Sequence, residues 1–159
     1  MQIEYGFFED FLKLLLKHQV EAMIIGGYAV NVYGYSRYTG DLDIWYQPTS
    51  NNVSKLMKAI EEFGFDTEIL KNQQLEYQSP IKLQDEGFKI ELIASIKGVG
   101  SFDECYQNVL KVEINDFLFP FIGYKDLINN KKSSMRMKDA VDVHYLEQIK
   151  KLNNPDSES

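Results

Sequence analysis

The sequence predicts an α+β domain in which a mixed β-sheet is covered largely on one face by helices. Three observations predict it: apolar residues at helical spacing near the N-terminus and again between 53 and 63, short β-rich runs bounded by glycine, and paired runs about turn residues in the second half. The 159 residues suit a single domain over 1–152, since independent domains commonly run to roughly 100–200 residues. Residues 153–159 (NNPDSES) read as a disordered tail.

In residues 5–17, Phe7, Phe8, Phe11, Leu12 and Leu15 recur at three- and four-residue spacing, which predicts an amphipathic helix. Residues 21–25 (EAMII) predict a buried strand that breaks at Gly26-Gly27, followed by a short helix over about 28–35. Residues 41–46 (DLDIWY) are rich in β-formers and predict a strand beside the first. Val53, Leu56, Met57, Ile60 and Phe63 form a helical stripe, with Ser50 as N-cap and Gly64 as stop. Residues 81–83 and 88–94 flank Asp85-Glu86-Gly87 and predict a hairpin; 109–114 and 117–122 predict a second about Asn115-Asp116. The last helix is expected over 135–152, with Met137, Val141, Tyr145, Ile149 and Leu152 along its packed side. The second face of the sheet is left free for a site.

Composition narrows the function classes. The single Cys105 cannot form an internal disulfide, and no apolar run suggests a signal peptide or reaches membrane-spanning length, so the expectation is a cytoplasmic protein with no membrane partner. A net charge of −7 gives no general attraction to nucleic acid. Positive charge is gathered locally, at Lys125, Lys131, Lys132, Arg136 and Lys138, as suits binding of a small anion. His18 and His144 lack a partner at metal-ligand spacing and read as structural.

Asp41 and Asp43 are two apart on one predicted strand, so both carboxylates point to one face with Cα atoms roughly 6.5–7 Å apart. Side-by-side carboxylates repel unless a cation sits between them, and Mg²⁺ takes such oxygen ligands together with substrate phosphates. The alternative reading is a pair of solvated or capping acids at a strand end. At Gly26-Gly27, absent side chains let backbone N–H groups approach a phosphate; the alternative is a plain tight turn. If two metal ions are to be held, a third acid is needed, and Glu91 in FKIELIAS is the candidate, an ion pair with a neighbouring strand being the alternative. Tyr28, Tyr33, Tyr35 and Tyr38 crowd the segment between glycines and acids, where aromatic rings either stack a base or acceptor or pack in the core.

GGYAVNVYGYSRYTGDLDIW, residues 26–45, resembles the signature of the DNA polymerase β nucleotidyltransferase superfamily: a glycine turn, a short helix, then D-x-D on the next strand. RYTGDLDIW is similar to the R-x-T-x-D-x-D form of small bacterial and archaeal members, including minimal nucleotidyltransferases and AbiEii-like toxin-antitoxin components. NKKSSMRMKDAVD, residues 130–142, resembles their C-terminal N-K-x4-R-x-K-D-x2-D helix.

The resemblance implies transfer of a nucleoside monophosphate from a nucleoside triphosphate to a hydroxyl of a protein, a small molecule such as an antibiotic, or an RNA end. It makes Asp41, Asp43 and Glu91 the catalytic, Mg²⁺- or Mn²⁺-binding carboxylates. It assigns Gly26, Gly27, Tyr28, Arg37, Thr39, Lys131 and Arg136 to the nucleotide. Arg37 could equally pair with a buried acid, and Lys138 with Asp139 could be a surface pair. Members usually carry aspartate at the Glu91 position; glutamate displaces the carboxylate by about 1.5 Å, one C–C bond. The competing implication is a weakly active or inactive nucleotide-sensing or toxin-neutralising module that binds a partner protein of a toxin-antitoxin pair.

Overall fold

The computed structural model describes residues 6–68, 70 and 79–155. Tyr5 and most of the expected tail lie outside them. In chain order the elements are α1 (Gly6–Lys17), β1 (Ala22–Ile25), α2 (Gly26–Val32), β2 (Leu42–Tyr46), α3 (Ser50–Phe63), β3 (Ile81–Asp85), β4 (Phe88–Ile93), α4 (Phe102–Tyr106), β5 (Leu110–Ile114), β6 (Phe117–Phe121), α5 (Tyr124–Lys132) and α6 (Met137–Asn153).

All six strands join one mixed sheet of order β3-β4-β2-β1-β6-β5. β2 runs antiparallel to β1 and parallel to β4, so Asp43 lies between Ile25 on one side and Glu91 on the other. Both hairpins form as expected. The β3–β4 turn is tightened to Glu86-Gly87, both at positive φ, the pattern that suits the right-handed twist of the flanking strands.

The core is built by the stripes read from the sequence. Phe8, Phe11, Leu12 and Leu15 of α1 and Leu56, Met57 and Ile60 of α3 are buried against the sheet, where Leu42, Ile44, Ile90 and Leu92 are fully buried too. Thr49 rather than Ser50 caps α3, its side chain accepting from the Asn52 N–H. The other face of the sheet is not free along its length. Trp45 there is sealed by an edge-on contact with Phe102 of α4 and by donating its N–H to the Ala94 carbonyl. The end carrying Asp43 and Glu91 stays open to a cleft.

Three further expectations change. α2 begins directly at Gly26, because that residue turns the chain at φ +68, a value costly for any residue with a Cβ. The segment 130–142 is not one helix: Asn130 to Lys132 end α5, and α6 starts only at Met137. The packed side of α6 is also rotated. Met137 is 79% exposed, and Val141, Tyr145 and Leu152 face solvent, while Asp139, Asp142, Val143 and Leu146 are buried. The acids go inward because each is neutralised there by a cation, as set out below.

Candidate active site

Asp43 and Glu91 occupy paired positions on the parallel strands β2 and β4, so their side chains share a face. Asp41 precedes β2 by one residue, and Lys89, two before Glu91, holds it through Nζ to Oδ2 at 3.1 Å. Burial first, then the charges of Glu91 and Asp41, push the Asp43 carboxyl up to about 6, against the opposing pull of Lys131 and Lys89. Asp43 is thus a half-buried acid short of positive charge. Glu91 has no ion pair among the described residues, although Lys82 is its cross-strand neighbour on β3. Among the described residues no three Asp, Glu, His or Cys side chains form a group that could hold a metal ion. Two carboxylates remain a workable donor set for Mg²⁺, whose remaining ligands are commonly phosphate oxygens and water.

The glycine pair serves this arrangement in two different ways. A Cβ at Gly26 would stand 2.5 Å from the Asp43 Oδ2, so the absent side chain makes room for the carboxylate itself. A Cβ at Gly27 would meet the Thr39 side chain at 2.6 and 2.7 Å, so Gly27 packs against Thr39. Substitution at Gly27 therefore perturbs packing before it meets any ligand, whereas Gly26 reports on the acids. Gly26→Ala should cut turnover per folded molecule by roughly a hundredfold, the scale set by displacing a reacting group about 1 Å. Activity measured alongside circular dichroism checks this; unchanged turnover in a folded variant would mean that the Asp43 position is not critical.

These residues line an open cleft of about 760 Å³. Acids come to it from β2 and β4; cations come from Lys97 after β4, from Lys131 of α5, and from Arg136 and Lys138 at the start of α6. The Asn130 amide fastens the β4 exit to α5 by donating to the Lys97 carbonyl at 2.9 Å.

Behind the cleft lies a buried ion network that local sequence spacing does not reveal. Asp142 accepts from Arg37 Nε at 2.8 Å and Nη2 at 2.9 Å, and pairs with Lys131 at 3.0 Å. Lys131 also bonds Asp139 at 2.9 Å, and Arg136 pairs with Asp139 at 3.0 Å. Both acids are 1% exposed. Burial alone would raise Asp139, but hydrogen bonds from Ser134 and Lys131, the Lys131 charge and Arg136 hold it at about 2. Asp142 is lowered likewise, against burial, by Arg37 and Lys131.

The structure thus brings Asp41, Asp43, Glu91, Gly26, Gly27, Arg37, Thr39, Lys131 and Arg136 to one cleft. Within it, Arg37 and Lys131 are engaged by buried carboxylates, and Asp139 is no surface partner of Lys138 but the buried partner of Lys131. Tyr28 is outside: its buried ring packs edge-on against Phe8, with centroids 5.9 Å apart. The sequence reading missed Lys89 and Lys97, and held Asp142 only as the last residue of the 130–142 motif, with no role. Lys89 had a signal, being two residues before Glu91 and so on the same strand face.

The fold has known counterparts. The crystal structure of the lincosamide antibiotic adenylyltransferase LnuA, lincomycin-bound, superposes with a TM-score of 0.60 at 16% identity, covering 92% of this chain and 98% of that one. ANT(2″)-Ia in complex with adenylyl-2″-tobramycin gives a TM-score of 0.56 at 12% identity, with 93% of each chain covered. At these identities the likeness is one of fold. No curated protein matches the sequence. The sequence does match the family described as nucleotidyl transferase of unknown function (DUF2204) over residues 7–157, a span that takes in the glycine pair, both aspartates, Glu91 and the whole α5–α6 segment. The chain belongs to that nucleotidyl transferase family.

Proposed function

We propose that the chain transfers a nucleoside monophosphate from a nucleoside triphosphate to the hydroxyl of a small molecule, with Asp41 and Asp43 holding Mg²⁺ or Mn²⁺. The observation that supports it most is the incomplete charge balance of one cleft, where the raised Asp43 sits beside Glu91 within reach of a cationic lining. When bound, the metal neutralises phosphate charge and helps to orient the phosphorus centre. The chain's own residues do the rest. Arg136, Lys97 and Lys138 offer charge to the phosphates, the last two having no ion pair among the described residues. Glu91 takes the proton from the acceptor hydroxyl as the bond to phosphorus forms, and pyrophosphate leaves.

A small acceptor is favoured over RNA because the protein carries a net charge of −7. The cleft, at about 760 Å³, falls within the range of roughly 300–1,000 Å³ usual for small-molecule sites. The two structural neighbours named above bear antibiotic ligands, lincomycin in one and an adenylylated tobramycin in the other.

Calorimetric titration with a nonhydrolysable triphosphate, with and without Mg²⁺, tests metal dependence. Affinity should be strong only with the metal; equal affinity without it would remove the metal from this reading. Glu91→Asp should keep or raise turnover, and Glu91→Gln should lose most of it. If Glu91→Gln instead lowers the melting temperature and leaves turnover per folded molecule unchanged, Glu91 is a structural acid.

A further inference from the structure

The structure sorts the four tyrosines between the glycines and the acids. Tyr28 is buried on Phe8. Tyr33 donates its hydroxyl to the Ile122 carbonyl at 2.7 Å and packs edge-on against Tyr124. Tyr35 stacks on Tyr145 with ring centroids 4.7 Å apart. Tyr38 is different. It is 86% exposed, and it is the one aromatic side chain lining the cleft among the described residues.

The backbone beneath this ring is held firmly although the ring is not. Arg37 Nη1 donates to the Tyr38 carbonyl at 3.0 Å while the same guanidinium is clamped on buried Asp142. Thr39 fits the space left by Gly27. A Cβ at Gly40 would meet the Tyr38 hydroxyl oxygen at 3.3 Å and its Cε1 at 3.6 Å, so the ring lies over Gly40, next to Asp41. A large planar surface is thus presented on a fixed support at a cleft whose other lining is mostly polar or charged. Tyrosine suits such a platform, since it offers much contact area at a small cost in side-chain freedom.

We infer that Tyr38 stacks on the base of the bound nucleoside triphosphate, an inference that rests on the nucleotidyl-transfer reading above. Tyr38 is three residues from Asp41, at most about 11 Å of extended chain. That separation is on the scale of one nucleoside, so a phosphate at the acids places its base within reach of the ring. Every base has a π-face, so stacking supplies affinity with little selection by hydrogen bonding. It should favour the larger purines, which makes ATP and GTP the preferred donors.

The test is calorimetric titration, with Mg²⁺ present, of wild type, Tyr38→Ala, Tyr38→Phe and Tyr38→Trp with nonhydrolysable analogues of the four triphosphates and with inorganic tripolyphosphate. Tyr38→Ala should weaken the purine nucleotides by roughly ten- to a hundredfold, the range of base–aromatic stacking. The pyrimidine nucleotides should lose less and tripolyphosphate nothing, and the Phe and Trp variants should retain wild-type affinity. An equal loss for tripolyphosphate would overturn the stacking role, because the effect would then be on cleft shape. Unchanged nucleotide affinity in Tyr38→Ala would overturn it and leave nucleotidyl transfer standing. A wild type that binds tripolyphosphate and nucleotides equally would also overturn it, and a wild type that binds neither would remove the nucleotide reading together with the inference.

Discussion

Asp43→Asn should reduce transfer by roughly a hundredfold or more, the scale on which a preorganised electrostatic contact is lost in other active sites, while leaving the ligand-free fold more stable at neutral pH. The two effects share one cause. Burial, Glu91 and Asp41 raise the Asp43 carboxyl from 3.8 to about 6, so the folded chain holds a proton there that the unfolded chain releases. The associated stability is complete below the ordinary carboxylate value and is lost as pH rises through about 6. At neutral pH the ionised wild type has lost it, on the order of 2–3 kcal/mol for a shift of this size, whereas asparagine carries no such penalty. Melting curves between pH 4 and 7 should therefore diverge, with Asp43→Asn gaining on wild type as pH rises. Added Mg²⁺ and triphosphate should reverse the order. A ligand that binds only the folded state stabilises it by about 2.7 kcal/mol at a hundredfold excess over Kd, and the variant should not receive that gain. An Asp43→Asn protein that melts below wild type without ligand, yet keeps the ligand response, would make Asp43 a structural cap.

Lys131→Met should destabilise the fold by about 3–5 kcal/mol, because it removes the cation shared by two buried carboxylates. Its Nζ lies 2.9 Å from Asp139 and 3.0 Å from Asp142. The loss should be pH-dependent in the opposite sense to that at Asp43. Asp139 is held at about 2 and Asp142 is also lowered, so their contribution is present above the ordinary carboxylate value and fades as pH falls toward 2. Without Lys131 the acid-unfolding midpoint should move to higher pH. A lysine acting only as a phosphate ligand predicts another pattern, with unchanged melting and weakened triphosphate affinity. Acid titration followed by circular dichroism, paired with nucleotide titration, separates the two.

The part of the site that was legible in the sequence is the part carried by local spacing. Asp41 and Asp43 stand two apart where β2 begins, Gly26-Gly27 ends a strand, and Glu91 stands in an apolar run that became β4 beside β2. The part that was not legible depends on pairing across the chain. Arg37 and Asp142 are 105 residues apart, and nothing in either neighbourhood announces the other. The same pairing explains the misplaced face of α6. Periodicity puts Met137, Val141 and Tyr145 inward on hydrophobicity alone, but ion-paired Asp139 and Asp142 displaced them. α4 had a readable signal in Ser101 and Glu104, whose reciprocal hydrogen bonds form a capping box over a helix of five residues. α5 had less, since Leu127 and Ile128 are its only buried apolar residues.

The most direct measurement is to supply each nucleoside triphosphate labelled at the α-phosphate, with Mg²⁺ and a panel of small hydroxylated acceptors, and to follow both the label and the leaving group. Nucleotidyl transfer predicts α-label joined covalently to an acceptor, an equal quantity of pyrophosphate released, and loss of both in Asp43→Asn. Release of inorganic phosphate with the α-label left on a nucleoside diphosphate would contradict it, because the bond broken would then lie at the γ-phosphorus rather than at the centre these carboxylates are proposed to serve.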